Sequence, residues 1–155
     1  MPLLRAALSW NFVLATAICA SLLAQLIKVL LNLFIFHRFI AERMWGAGGM
    51  PSSHPATVCA MVVATGRYCG VNSPIFAIAA VLSIIVMYDA MGVRYETGEQ
   101  AKVLNRMFTE WMDQGFEQFQ LPHGKKLKEM VGHTPIEVVT GAALGIVLGF
   151  AMPMV

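Results

Sequence analysis

The chain alternates long apolar stretches with short polar ones, and the lengths of the apolar stretches decide its class. A helix that crosses a bilayer needs about 20 mostly apolar residues. Residues 10–36 form such a run, its strongly polar interruptions being Asn11, Gln25, Lys28 and Asn32. Residues 74–91 form a second run, closing on Tyr88-Asp89, and residues 135–155 a third. Residues 53–69 are shorter, apolar from Val58 to Ala64, and predict a thin fourth span. The first twenty residues imitate a signal peptide, but the apolar run continues past Ala20 without a clear cleavage site. The segment therefore reads as a retained anchor. In the last run Gly141, Gly145 and Gly149 fall four apart, the small-residue stripe by which membrane helices approach closely. The expectation is an all-α, polytopic membrane helical bundle of about four spans, in a single domain over residues 1–155.

The connections carry the polarity. Residues 37–50 join the first two spans and end in Gly46-Ala47-Gly48-Gly49; residues 70–73 form a short turn; residues 92–134 hold most of the charge. Within that long connection Ala101, Leu104, Phe108, Trp111 and Met112 recur at helical spacing, with Lys102, Arg106, Glu110 and Asp113 between them. This predicts an amphipathic helix, lying either at the interface with Trp111 at headgroup depth or against a neighbouring subunit.

Composition agrees. The chain is 57% hydrophobic and 13% charged, with a mean hydropathy of +0.66, against roughly 45–50% and about 25% in ordinary soluble domains. Those values exclude a soluble globular domain and a disordered chain alike. The net charge is only +2, and no basic tract is dense enough for nucleic acid. Cys19, Cys59 and Cys69 are widely spaced and form no metal or redox motif; they read as buried small hydrophobes.

Four alternating spans leave Arg5 and Arg67 on one side of the membrane. The other side receives Arg38, Arg43, Arg94, Lys102, Arg106, Lys125, Lys126 and Lys128. The positive-inside rule assigns this richer side to the cytoplasm. The chemistry-bearing residues gather there too. Gly48-Gly49-Met50-Pro51-Ser52-Ser53-His54 opens the second span and Gly132-His133-Thr134-Pro135-Ile136-Glu137 the fourth; Asp89 and Arg94 close the third, and Lys28 sits in the inner half of the first. Ionisable groups converging at membrane depth point to a functional site.

Pro51-Ser52-Ser53-His54 combines helix-start residues with hydroxyls that cap free N–H groups, and such a helix start attracts anions. His54 could give a proton to a bound phosphate. Read alone, the segment is also a plain N-cap followed by an interfacial histidine. His133 and Glu137, at i and i+4, share a face if the helix already includes residue 133. A carboxylate on one imidazole nitrogen would then fix the tautomer and raise the basicity of the other; read alone, this is also a helix-start cap. Asp89 could pair with Arg94 or Lys28, ligate a metal with Glu96 or Glu99, or cap a helix; the ion pair is preferred because an unpaired buried carboxylate is costly. His37 and His123 read as interfacial, and the methionines as packing.

Pro51-Ser52-Ser53-His54 and the stretch from His133-Thr134-Pro135-Ile136-Glu137 to Gly145 resemble the second and third signature motifs of the type 2 phosphatidic acid phosphatase superfamily. Over roughly residues 20–150 the chain resembles its small divergent branch, related to acid phosphatases and vanadium-dependent haloperoxidases. Tyr88-Asp89-Ala90-Met91-Gly92-Val93-Arg94, Gln100-Ala101 and Leu104-Asn105 are also similar to that branch. The resemblance implies that His133 attacks phosphorus and Glu137, standing where the family has Asp, orients it. His54 would protonate the leaving oxygen, and Ser52 and Ser53 would hold phosphoryl oxygens. The scheme implies no metal and no cofactor.

Departures accompany it. The first motif places Arg seven residues after the lysine, where this chain has Ile35; the third places Arg six residues before the nucleophile, where it has Leu127. Lys28, Arg94, Lys128 and Asp89 complete the expected substrate-binding set, Arg94 or Lys128 replacing the missing arginine. About four spans, where the integral-membrane members have six, raise a homodimer that completes the bundle.

The expected function is a metal-independent lipid phosphate phosphatase in a bacterial inner (plasma) membrane, its active site facing the cytoplasm. Its substrate would be a phosphate monoester or pyrophosphate of the phosphatidylglycerophosphate, phosphatidic acid or polyprenyl pyrophosphate class. The alternative is a non-enzymatic membrane protein that binds or transports an anionic solute, which the altered motifs favour. A metal-dependent phospholipid synthase using Asp89 ranks last, because its aspartate-rich pattern is absent.

Overall fold

A computed structural model describes residues 11–36, 49–114, 126–129 and 131–154. Among them are five helices and no strand: α1 Phe12–Phe36, α2 Ser53–Cys69, α3 Pro74–Met91, α4 Val93–Asp113 and α5 Pro135–Ala151. His37, Arg38, Arg43, His123, Lys125, Arg5 and the start of the glycine run before Gly49 lie outside the described residues.

The helix ends follow local chemistry. Ser73 caps α3 by accepting from the Phe76 N–H at 3.2 Å, with Pro74 in the first turn where its missing N–H costs nothing. Gly92 ends α3, and α4 starts immediately after it. With 25 and 18 residues, α1 and α3 are long and apolar enough to cross a membrane. At 17 residues each, α2 and α5 stand at the lower limit of the roughly 17–25 residues a span requires.

α2 is the centre of the bundle. Its neighbours are identified by pairs of contacts along its length. A Cβ added to Gly141 or Gly145 would land on the carbonyl of Ser52 or Ala56 respectively, and one on Gly149 would meet Val63 and Ala60. Residue numbers rise together on the two helices, so α2 and α5 run parallel in a fixed register. α1 is antiparallel to α2: Phe12 packs with Ala64 and Tyr68, and Gln25 reaches Ser53. α3 is antiparallel too, with Phe76 against Gly66 and Ser83 at Cys59. The two signature segments therefore begin at one end of the molecule, as four alternating spans predict.

Size sorts the residues more sharply than polarity does. Ala56, Ala60 and Ala64 of α2 and Ala20 and Ala24 of α1 are all 0% exposed. Large apolar residues point outward, Ile78 at 69% and Phe150 at 65% exposure. That distribution suits helices surrounded by lipid, where close van der Waals contact through small residues, not burial of large ones, drives association.

The end of the bundle remote from the signature segments is tied by Arg67. Its Nη1 donates to the carbonyls of Gly149 at 2.6 Å and Met152 at 2.8 Å, closing the C-terminus of α5, while its guanidinium lies 5.6 Å from the Phe12 ring centre. A cation there also favours the negative end of the helix dipole.

Two expectations need amendment. Cys59 is buried and Cys19 half-buried, but Cys69, the last residue of α2, is exposed. The α4 stripe also divides: Ala101 is buried and Phe108 half-buried, whereas Leu104, Trp111 and Met112 are exposed. The inward face of α4 is instead built on Gly98, Ala101 and Asn105, because the segment before α5 lies on it.

The α2–α5 contact should be the point most sensitive to added volume. Gly145→Ala is expected to destabilise the protein by about 1–3 kcal/mol, the usual cost of overpacking. Ala143→Leu, on an exposed position of the same helix, should stay within about 0.5 kcal/mol. Thermal unfolding in detergent micelles separates the two; equal behaviour would refute the seam.

Candidate functional site

The α2 and α5 starts are joined directly: the Ser52 N–H donates to the Glu137 carbonyl at 3.1 Å. Two parallel helices thus bring their positive ends side by side, a strong local preference for an anion. Ser52 is the N-cap of α2, yet its side chain caps nothing, contrary to the capping expected from sequence. A cap hydroxyl bonds the second or third N–H of the helix, and the third residue here is Pro55, which has none. The Ser52 hydroxyl is consequently buried without a hydrogen-bond partner. Ser53, also buried, accepts from Gln25 Nε2 at 3.3 Å.

Glu137 is held by three donors. Its Oε1 accepts from the Gly49 N–H at 2.9 Å; its Oε2 accepts from the Thr134 N–H at 3.0 Å and lies 3.2 Å from His133 Nδ1. The pairing of His133 with Glu137 is as expected, but its origin differs. α5 begins at Pro135, so His133 is outside the helix and the two residues share no helical face. They meet because Thr134 and Glu137 form a capping box, each side chain bonding the other's backbone N–H, which swings the carboxylate back over residue 133. The two readings left open, cap and histidine partner, are both correct of the same carboxylate. His133 is 3% exposed, and its own N–H donates to the Ala90 carbonyl at the end of α3 at 3.1 Å.

His54 is exposed in the first turn of α2, its ring centre 6.1 Å from that of His133 and tilted by 58°. Lys28 is 2% exposed; its stem lies beside Gly49, whose φ of +95° suits a residue without a Cβ. Its ammonium interacts electrostatically with Glu137, and His54 feels the charges of His133, Arg94, Lys28 and Asp89. Arg94 Nε donates to Asp89 Oδ2 at 2.5 Å across the α3–α4 break, so the favoured ion pair is present. Glu99, an alternative partner for Asp89 around a metal, is instead bonded to Lys102 at 2.6 Å. Lys128 is exposed, and among the described residues nothing links it to this cluster.

His133, His54, Glu137, Ser52, Ser53, Lys28, Asp89 and Arg94 are therefore assembled at one end of the bundle. Sequence reasoning passed over Gln25 and Gly49 as members of that cluster. Gln25 had a signal, since a second polar residue one turn from Lys28 in an apolar helix marks a polar face. Gly49 had none, because it contributes only a backbone N–H.

The comparisons with known proteins bear on this arrangement. A family model described as "Divergent PAP2 family" matches residues 9–148. The chain is also 38% identical over 144 residues to the uncharacterized membrane protein YuiD of Bacillus subtilis (strain 168), covering 89% of this chain and 91% of that one. No solved structure matches it. The chain belongs to the Divergent PAP2 family, and it is a membrane protein.

Glu137→Gln leaves one acceptor oxygen where three donors converge. It should cost about 1–3 kcal/mol, the penalty of stranding a buried donor, read as a lowered thermal midpoint in micelles. An unchanged midpoint would mean the carboxylate is not the junction described.

Proposed function

We propose that the protein is a metal-independent membrane phosphatase that hydrolyses a lipid phosphate monoester or pyrophosphate through a phosphohistidine on His133. The observation that carries this reading is the His133–Glu137 pair standing opposite His54 at the joined positive ends of two parallel helices. With an ionised Glu137 accepting from Nδ1–H, the Nε2 lone pair of His133 is available for attack.

The phosphoryl oxygens would be held by the Ser52 and Ser53 hydroxyls, the N–H groups opening α2, and the cations Lys28 and Arg94. Phosphoryl transfer depends chiefly on such positioning and charge stabilisation. His133 Nε2 attacks phosphorus as the bond to the leaving oxygen breaks, and His54 gives that oxygen its proton. Water then attacks the phosphohistidine, His54 takes a proton from it, and the P–N bond breaks to return His133. A site at the end of spanning helices, beside outward-facing apolar surfaces, favours a substrate whose phosphate lies at the membrane interface. Phosphatidylglycerophosphate, phosphatidic acid and polyprenyl pyrophosphate meet that condition. The lysine and arginine distribution directs this end to the cytoplasm, in a bacterial inner membrane.

Purified protein in micelles should release phosphate from one of these lipids with EDTA present. His133→Ala should abolish release, and His54→Ala should lower it by about 10²–10⁴-fold, the usual contribution of a general acid–base. Folded protein that binds inorganic phosphate yet releases none from any lipid would overturn the reading and favour anion binding or transport.

A further inference from the structure

His133 lies outside any helix, and what fixes it is the segment immediately before it. Leu127 is gripped on both sides of its backbone by one side chain: Asn105 Oδ1 accepts from the Leu127 N–H at 2.8 Å, and Asn105 Nδ2 donates to the Leu127 carbonyl at 2.9 Å. The remaining Nδ2 hydrogen goes to Glu129 Oε1 at 2.8 Å. Asn105 is 5% exposed, so a buried amide with both donors and its acceptor satisfied is devoted to this one segment, two bonds to backbone and one to a side chain. Such a fully satisfied polar group specifies one geometry, because each lost bond strands a desolvated partner.

The contacts continue toward His133 in register. Gly98 leaves room for the Glu129 carbonyl, which a Cβ there would meet at 2.5 Å, and Gly132 lies directly on the backbone of Arg94 and Tyr95. The His133 N–H then bonds Ala90. Moving from Leu127 to His133, the partners step back along α4 from Asn105 through Gly98 and Tyr95 to Ala90 of α3. The segment is therefore laid antiparallel along α4 like a strap, and its far anchor is Asn105. Among the described helices the backbone of α4 comes close only to that of α3.

We propose that Asn105 is a positioning residue for His133, acting through the strap formed by residues 126–129 and 131–133. α4 serves as the template that sets where the imidazole stands relative to the phosphate-holding residues of α1 and α2. The inference takes the role of His133 from the proposed function, but the placement itself can be measured without turnover.

The experiment combines lipid phosphate kinetics with chemical labelling of histidines by diethyl pyrocarbonate, mapped by mass spectrometry on the full-length protein in micelles. Asn105→Ala removes the anchor. Gly98→Ala keeps Asn105 and displaces the strap from its middle. Both should lower kcat by about 10²-fold, the order expected for a misplacement of about 1 Å, with KM little changed. His133 labelling should rise about tenfold, as when ordinary hydrogen bonds are lost from a local opening equilibrium. Exposed His54 and buried Cys59, the latter probed by alkylation, should keep their wild-type rates. Asn105→Asp sets a carboxylate against Glu129; adding Glu129→Gln restores a donor to that pair and should recover part of the loss. Unchanged His133 labelling in both single variants overturns the inference. So does a parallel rise at His133 and Cys59, which would mean a loosened fold. If the wild type hydrolyses no lipid phosphate while the labelling changes as expected, the proposed function fails and the positioning role stands.

Discussion

The structure depends on how closely α2 and α5 approach. Gly141, Gly145 and Gly149 let the backbone of one helix rest on Ser52, Ala56 and Ala60 of the other, and no residue with a Cβ fits at the first two glycines. Because the four-residue steps match on both helices, the contact fixes direction and register together. The starts of α2 and α5 are then level, the Ser52 N–H meets the Glu137 carbonyl, and two helix dipoles add at one place. A slip by one turn would separate the Ser52-Ser53-His54 segment from the His133–Glu137 pair. At the opposite end Arg67 closes the α5 carbonyls and stabilises the same arrangement from the negative side.

Glu137 transmits that geometry to the proposed chemistry. One carboxylate completes the capping box of α5, receives the Gly49 N–H from the connection after α1, and touches His133. Two segments far apart in sequence, the turn before α5 and the connection after α1, thus agree on the position of one side chain. This also accounts for a glutamate where the resemblance leads one to expect aspartate: Glu137, at the third helical position, has the reach to return to the N-cap and to residue 133 beyond it. Lys28, buried in the same cluster, lies close enough to feel its charge.

The cations bear on the missing arginines as well. Lys128 is exposed away from the cluster, whereas Arg94 is held by Asp89 through its Nε. Holding Nε leaves the terminal nitrogens of the guanidinium for another acceptor, and a bidentate fork suits phosphate better than a point charge does. The α3–α4 break at Gly92 makes this pairing, since Asp89 and Arg94 belong to different helices five residues apart. α4, with Leu104 and Trp111 exposed outward and Gly98, Ala101 and Asn105 turned in, adds the backbone template on which the segment before His133 rests.

The helices and their order were legible in the sequence, because a span must be long, apolar and internally hydrogen-bonded whatever it packs against. The boundaries of α2 and α3 come out at the residues the apolar pattern indicates, Ser53–Cys69 and Pro74–Met91. The glycine stripe and the gathering of Ser52, Ser53, His54, His133, Glu137, Lys28, Asp89 and Arg94 on one side were legible for the same reason, since alternation alone assigns sides. Four details were not. The idle Ser52 hydroxyl, the cap-borne contact of His133 with Glu137, the Gly49 donor and the Asn105 anchor all depend on where backbone groups of distant segments come to lie. Local sequence sets which groups can form a bond; the depth and register of helix packing decide which of them meet.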